Sequence, residues 1–267
     1  MFRAFYNLSC NPFDKSIPVS DAFISTDHKE MITRLNYLNK IRGIGVFTSP
    51  PGFGKTFALR CFTKSLSQNI NEIAYLCLST VSTIDFYRQF CFALGIDSPH
   101  GKPAMFRAIQ DRLYHLLKEK RKPFLLILDE AHELSPPILK DLKLILNHDF
   151  DSINCFTLVL AGEPHLNNIL DKPIHEALRQ RIAVHYNFAG LSDSETELYI
   201  LHKLRSAGAS DSILGHGTLN SIVGYSRGCS RLVDNLMIEA LSLGSQLQKL
   251  PLDTDVFLAA VNNLALA

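Results

Sequence analysis

Lys55 and Thr56 close the run Ser49-Pro50-Pro51-Gly52-Phe53-Gly54-Lys55-Thr56, and Asp129-Glu130 follow the apolar run Phe124-Leu125-Leu126-Ile127-Leu128. An ammonium and a hydroxyl behind two glycines, and adjacent carboxylates behind a strand-like segment, are the groups phosphoryl chemistry uses. The first run matches the phosphate-binding pattern G-x-x-x-x-G-K-[ST], with Ser49 in place of its first glycine. In such a loop the backbone N–H groups wrap phosphate oxygens, and Gly52 and Gly54 supply positive φ and close approach. Lys55 then reaches the β- and γ-phosphates. Thr56 presents its hydroxyl to Mg²⁺, and Phe57 follows it on a helix whose N-terminus favours anions. The residues read as nucleotide-binding are therefore Ser49, Pro50, Pro51, Gly52, Phe53, Gly54, Lys55, Thr56 and Phe57. Asp129 would complete the Mg²⁺ site with Thr56, and Glu130 would orient and polarise the attacking water as a general base. ATP and Mg²⁺ are the expected cofactors.

These groups need a scaffold that brings two distant segments together. Ile44 to Thr48 is a short apolar run ending at the Pro-Pro-Gly turn and reads as a buried strand. Thr56 to Leu66 reads as the helix after it. Further strands are predicted at Ile73–Leu78, Phe124–Leu128, Cys155–Leu160 and Ala183–Phe188, and helices at Ile84–Leu94, Met105–Leu117 and Ile138–Leu146. Strands alternating with helices predict an α/β fold with a parallel sheet. From Leu191 the pattern turns helical. Ser192 and Glu195 make a capping-box pair, and helical runs recur around Leu219–Val223, Leu232–Leu243 and Val256–Val261. The expected organisation is an α/β domain over residues 1–190 and a helical lid over 191–267.

Composition narrows the class. The chain has 267 residues, 46% of them hydrophobic, enough for a sizeable core. No apolar run approaches the length of a membrane span, and residues 1–30 lack a basic-then-apolar leader pattern, so the expectation is a soluble cytoplasmic protein without membrane insertion. Six cysteines show no C-x-x-C pair or zinc spacing and read as thiols in a reducing compartment. Residues 1–122 carry 17 Lys+Arg against 9 Asp+Glu, whereas residues 123–267 carry 10 against 17. The basic half could face a polyanion, or the two halves could meet head-to-tail between subunits. Asp129-Glu130-Ala131-His132 also spells a helicase string, but helicases of that type use two tandem motor domains and this chain has one phosphate loop.

Beyond these motifs the sequence resembles AAA+ ATPases, within them the ExeA-like ATPases and the transposition regulators TnsC and MuB. The resemblance is carried by Phe5-Tyr6-x-Leu8, Asn11-Pro12-Phe13, His28, Gly43-Ile44-Gly45-Val46, the phosphate loop, Asp129-Glu130, Gly162-Glu163-Pro164 with Leu166, Leu178-Arg179-Gln180-Arg181-Ile182 and Gly228-x-x-Arg231-Leu232. It implies a P-loop NTPase of the AAA+ kind, with a parallel sheet core and a C-terminal helical lid. It implies that Arg231 is a sensor-2 arginine touching the γ-phosphate. It also implies that Arg181, or failing that Arg179, is an arginine finger reaching a neighbouring subunit's nucleotide. A trans finger implies a homo-oligomer, and the resemblance implies that it is a ring or helical filament with slow ATP hydrolysis coupled to assembly. The sequence departs from the pattern at Glu163, where a neutral polar residue is usual and a carboxylate would repel γ-phosphate. The first functional expectation is an ATP-dependent regulator of transposition that assembles on double-stranded DNA beside a separate transposase, with Arg88, Lys102 and Arg107 as DNA-facing candidates. The alternative is an ExeA-like ATPase of a secretion or envelope-assembly system. Proteins of that kind typically continue into membrane and peptidoglycan-binding segments, which this sequence does not show.

Overall fold

The computed structural model describes residues 2–67, 69–77, 82–146, 154–215 and 217–265. Its five strands are β1 (Ile44–Thr48), β2 (Glu72–Cys77), β3 (Phe124–Asp129), β4 (Thr157–Gly162) and β5 (Ile182–Asn187). They form one parallel sheet in the order β2-β3-β4-β1-β5. The predicted strands are all present with ends moved by one or two residues; Leu78 lies outside the described residues. This is an α/β P-loop-type core followed by a helical region, the fold class that the sequence leads one to expect.

The chain divides into two compact units. One, residues 30–50 and 55–188, holds the sheet. Every residue of β1, β3 and β4 is buried, as a parallel sheet covered on both faces requires. Phe124, Leu126 and Leu128 share a core with Phe86 and Phe90 of the helix Thr83–Ala93, Leu113 and Leu116 of Lys102–Lys118, and Ile138 and Leu142 of Pro136–Leu146. Strand alternation turns Leu125, Ile127 and Asp129 to the opposite face. Gly45 in β1 gives room to Leu38, since a Cβ there would collide with the Leu38 side chain.

The other unit comprises residues 1–29, 51–54 and 189–267. The N-terminal segment is therefore part of the helical unit. Tyr6, Leu8 and Phe13 are buried in one cluster with Ile200, Leu204, Val233, Met237 and Phe257. The helix Asp193–Ser206 begins with the expected capping box, Ser192 accepting from the Glu195 N–H and Glu195 accepting from the Ser192 N–H. Glu195 also accepts from the Thr26 N–H at 2.6 Å, so the cap ties the N-terminal segment to the lid helix.

A charged pair sits inside this second core. Lys203 Nζ donates to Asp234 Oδ1 at 2.7 Å, the Tyr199 hydroxyl donates to the same oxygen at 2.8 Å, and the ammonium lies over the Tyr199 and Phe13 rings. Burial pushes the Lys203 pKa down and the Asp234 pKa up. Asp234→Ala would strand a buried ammonium, so it should cost about 3 kcal/mol or more in urea unfolding. A loss below about 1 kcal/mol would mean that the pair is solvated.

Candidate active site

Lys55, Thr56, Asp129 and Glu130 come together at the C-terminal edge of the sheet, where β1 and β3 lie on either side of β4. β1 ends at Thr48, and the Ser49 N–H donates to the Gly162 carbonyl at 3.1 Å, which fixes the start of the phosphate loop against the end of β4. Gly52 and Gly54 hold φ of 84° and 105°, the left-handed backbone the motif demands. The helix Lys55–Ser65 follows at once.

Asp129 is the centre of the cluster. It is 3% exposed at the end of β3. Its Oδ2 accepts from the Thr56 hydroxyl at 2.9 Å and from the Tyr75 hydroxyl at 2.8 Å. Its Oδ1 accepts from the Glu130 N–H at 3.0 Å, and Lys55 Nζ stands 3.9 Å away. Two segments more than seventy positions apart, Lys55-Thr56 and Asp129-Glu130, thus meet as the sequence pattern requires. A buried carboxylate beside a threonine hydroxyl offers hard oxygen donors and fits Mg²⁺.

Glu130 takes a left-handed conformation, φ 55°, which turns its side chain out of the strand's alternation. Its Oε2 lies 3.5 Å from His132 Nδ1. That nitrogen already accepts from the Glu163 N–H at 3.1 Å, which places the imidazole proton on Nε2, facing Glu133 at 3.4 Å. His132 also packs edge-on to His165, with ring centroids 4.4 Å apart. A Cβ at Gly162 would press on His132 Nδ1 at 3.1 Å, so glycine there lets the Glu130–Glu133 turn close on β4. Glu130, His132 and Glu163 bring possible ligand atoms within 4.8 Å of one another, but the His132 Nδ1 hydrogen bond already occupies one of them. Glu163, the departure from the family pattern, has its carboxylate 3.6 Å from His165 Nδ1.

Within the helical unit, the Arg231 N–H and the Ser230 hydroxyl each donate to the Gly52 carbonyl at 3.0 Å. Gly52 is needed there too, since a Cβ would come within 2.9 Å of Arg231 Cβ. Phe53 packs on Gly190, whose own Cβ would strike its ring. The Arg231 residue is exposed.

The two finger candidates lie just before β5 in the sheet unit. Arg179 is exposed and donates to the Asp171 carbonyl and carboxylate, both at 3.3 Å. Arg181 is half-buried and donates to the Lys143 carbonyl at 3.2 Å. Of the DNA-facing candidates, Arg88 is exposed and pairs with Asp85 at 3.1 Å, and Arg107 is exposed. Lys102, with its side chain 43% exposed, pairs with the largely buried Asp141 at 2.7 Å. Sequence reasoning missed Tyr75. Tyr75 sits on a strand with a mixed burial pattern, and only the pairing of β2 with β3 brings it to Asp129.

Residues 39–170 match a family model described as an AAA domain. The chain is 31% identical over 252 residues to general secretion pathway protein A of Aeromonas hydrophila, covering 92% of this chain and 46% of that protein. It is 28% identical over 131 residues to the ATP-dependent target DNA activator B of Escherichia phage Mu, covering 48% of this chain and 39% of that protein. It therefore spans less than half the length of either curated relative. The solved structure of Cdc6p from Pyrobaculum aerophilum superposes with a TM-score of 0.68 at 18% identity, covering 89% of this chain and 66% of that one. Among the described residues, no helix is long and apolar enough to cross a membrane.

Proposed function

We propose, on the premise that this chain carries an AAA ATPase domain, that it is the nucleotide-driven assembly module of an ExeA-like ATPase. The observation that carries this reading over the transposition one is extent. The similarity to general secretion pathway protein A runs through 92% of the chain, whereas that to the phage DNA activator spans 48%. The weighting suggested by the sequence alone is corrected accordingly.

In this reading the loop residues 49–56 cradle the ATP phosphates, and Lys55 balances charge at the γ-phosphate. Thr56 and Asp129 would hold Mg²⁺, which when bound would supply charge neutralisation to the phosphates. Glu130 orients water for in-line attack. Arg231 acts as the sensor-2 arginine and Arg181 or Arg179 as the finger from a neighbouring protomer. ATP binding would join protomers into a ring or helical filament, and hydrolysis would release them.

A second reading, a transposition regulator assembling on double-stranded DNA beside a transposase, is favoured by the net positive charge of residues 1–122 and by the relationship to the phage activator. Sedimentation with a non-hydrolysable ATP analogue, with and without duplex DNA, separates the two. The secretion-type reading expects assembly with nucleotide alone, lost in Lys55→Ala, and no shift of duplex DNA. A salt-sensitive DNA complex formed only with the analogue would transfer the assignment to the second reading. No assembly under either condition would sink both.

A further inference from the structure

The Tyr75 phenol is a hydrogen-bond donor on Asp129 for which the proposed ATP chemistry has no task. Tyr75 pairs with Ile127 and Cys77 with Asp129 across the parallel β2–β3 ladder, so Tyr75 and Asp129 point to the same face of the sheet. From two positions back along its strand, the long phenol reaches Asp129 Oδ2 at 2.8 Å.

That oxygen is already engaged. It accepts the Thr56 hydroxyl at 2.9 Å, and the other oxygen accepts the Glu130 N–H at 3.0 Å with Lys55 Nζ at 3.9 Å. A carboxylate oxygen offers two lone-pair sites. At Oδ2 one is used by Thr56 and the other by Tyr75. The Thr56 hydroxyl can donate to Asp129 and still present a lone pair to a cation. Tyr75 can only occupy a place, because its donated proton stands where a cation or its bound water would approach Oδ2. A phenol keeps its proton at neutral pH, so it stays a proton donor. Tyr75 is 46% exposed, which leaves the ring room to turn toward solvent.

We infer that Tyr75 is a positioning residue that caps Asp129 Oδ2 when no divalent cation is bound and competes with the cation for that oxygen, so that it sets the cation requirement of the nucleotide site. This rests on the reading of Thr56 and Asp129 as the Mg²⁺-holding pair. Asp129 remains oriented by Thr56 and Glu130 when Tyr75 lets go, so removing the phenol oxygen releases the competition without releasing the carboxylate.

The test is Mn²⁺ binding to the full chain with ADP, followed by electron paramagnetic resonance, for wild type, Tyr75→Phe and Tyr75→Leu. Both variants lack the donor, and Phe keeps the ring. The expected result is an apparent Kd for Mn²⁺ about 3- to 10-fold lower in both variants, the scale of the net contribution of one hydrogen bond. Thermal melting should show a larger Mn²⁺-induced rise in Tm for Tyr75→Phe than for wild type. An unchanged or weakened Mn²⁺ affinity in Tyr75→Phe, with or without a lower Tm, would overturn the inference and leave Tyr75 a structural residue. A wild-type protein with no ADP-dependent Mn²⁺ site would overturn it together with the reading of Thr56 and Asp129.

Discussion

Glu130→Gln should lower steady-state ATP hydrolysis by about 10²- to 10⁴-fold, the range for loss of a positioned general base, while nucleotide binding persists. The substitution preserves shape. Its backbone N–H remains free to donate to Asp129 Oδ1 at 3.0 Å, and the left-handed turn at φ 55° is a backbone feature that a glutamine can also occupy. What disappears is the carboxylate's ability to take a proton from water. The local electrostatics favour that role in the wild type. His132 Nδ1, 3.5 Å from Glu130 Oε2, accepts a hydrogen bond from the Glu163 N–H, so in this tautomer it does not pair as a cation with the carboxylate. The measurement is phosphate release under saturating ATP, with nucleotide affinity read separately by fluorescent-nucleotide titration. A rate within about 10-fold of wild type would remove Glu130 from the general-base role.

The second large effect concerns the proposed arginine finger, a residue that would act on another protomer. Arg181→Ala should reduce hydrolysis by on the order of 10³-fold, as loss of an arginine finger does. A mixture of Arg181→Ala with Glu130→Gln should regain activity, because a protomer with an intact Glu130 can then receive an intact arginine from its neighbour. Mixing is the decisive part. Arg181 also donates to the Lys143 carbonyl at 3.2 Å, so its loss could loosen the segment before β5, and no neighbour repairs such damage. Arg179→Ala is the comparator. Its side chain is held at the surface by Asp171 at 3.3 Å, an exposed pair worth little to stability. A large loss in Arg179→Ala that mixing rescues, with Arg181→Ala near wild type, would move the finger to Arg179. Failure of rescue for both would remove the trans role.

Local chemistry explains how much was legible beforehand. The phosphate loop, the Asp129-Glu130 strand end and the Ser192–Glu195 cap each depend on residues a few positions apart, and the structure forms all three features. The buried strands were legible because a parallel sheet covered on both faces needs continuous apolar runs, which Ile44–Thr48 and Phe124–Asp129 supply. Charge shows in sequence, but the carboxylate that takes up Lys102 is Asp141, on another helix.

By itself, then, the sequence determined the nucleotide chemistry and the class of fold, because motif spacing and strand or helix period are short-range properties of the chain. Tertiary structure alone decided that Tyr6 and Phe13 join the core of Val233 and Met237, that His132 accepts from the Glu163 N–H, and that the Tyr75 hydroxyl lies on Asp129. Each of these depends on strand register or helix packing between segments far apart in the chain. No local period encodes such pairings; they are chosen when separate segments must bury their apolar faces and satisfy their polar groups together.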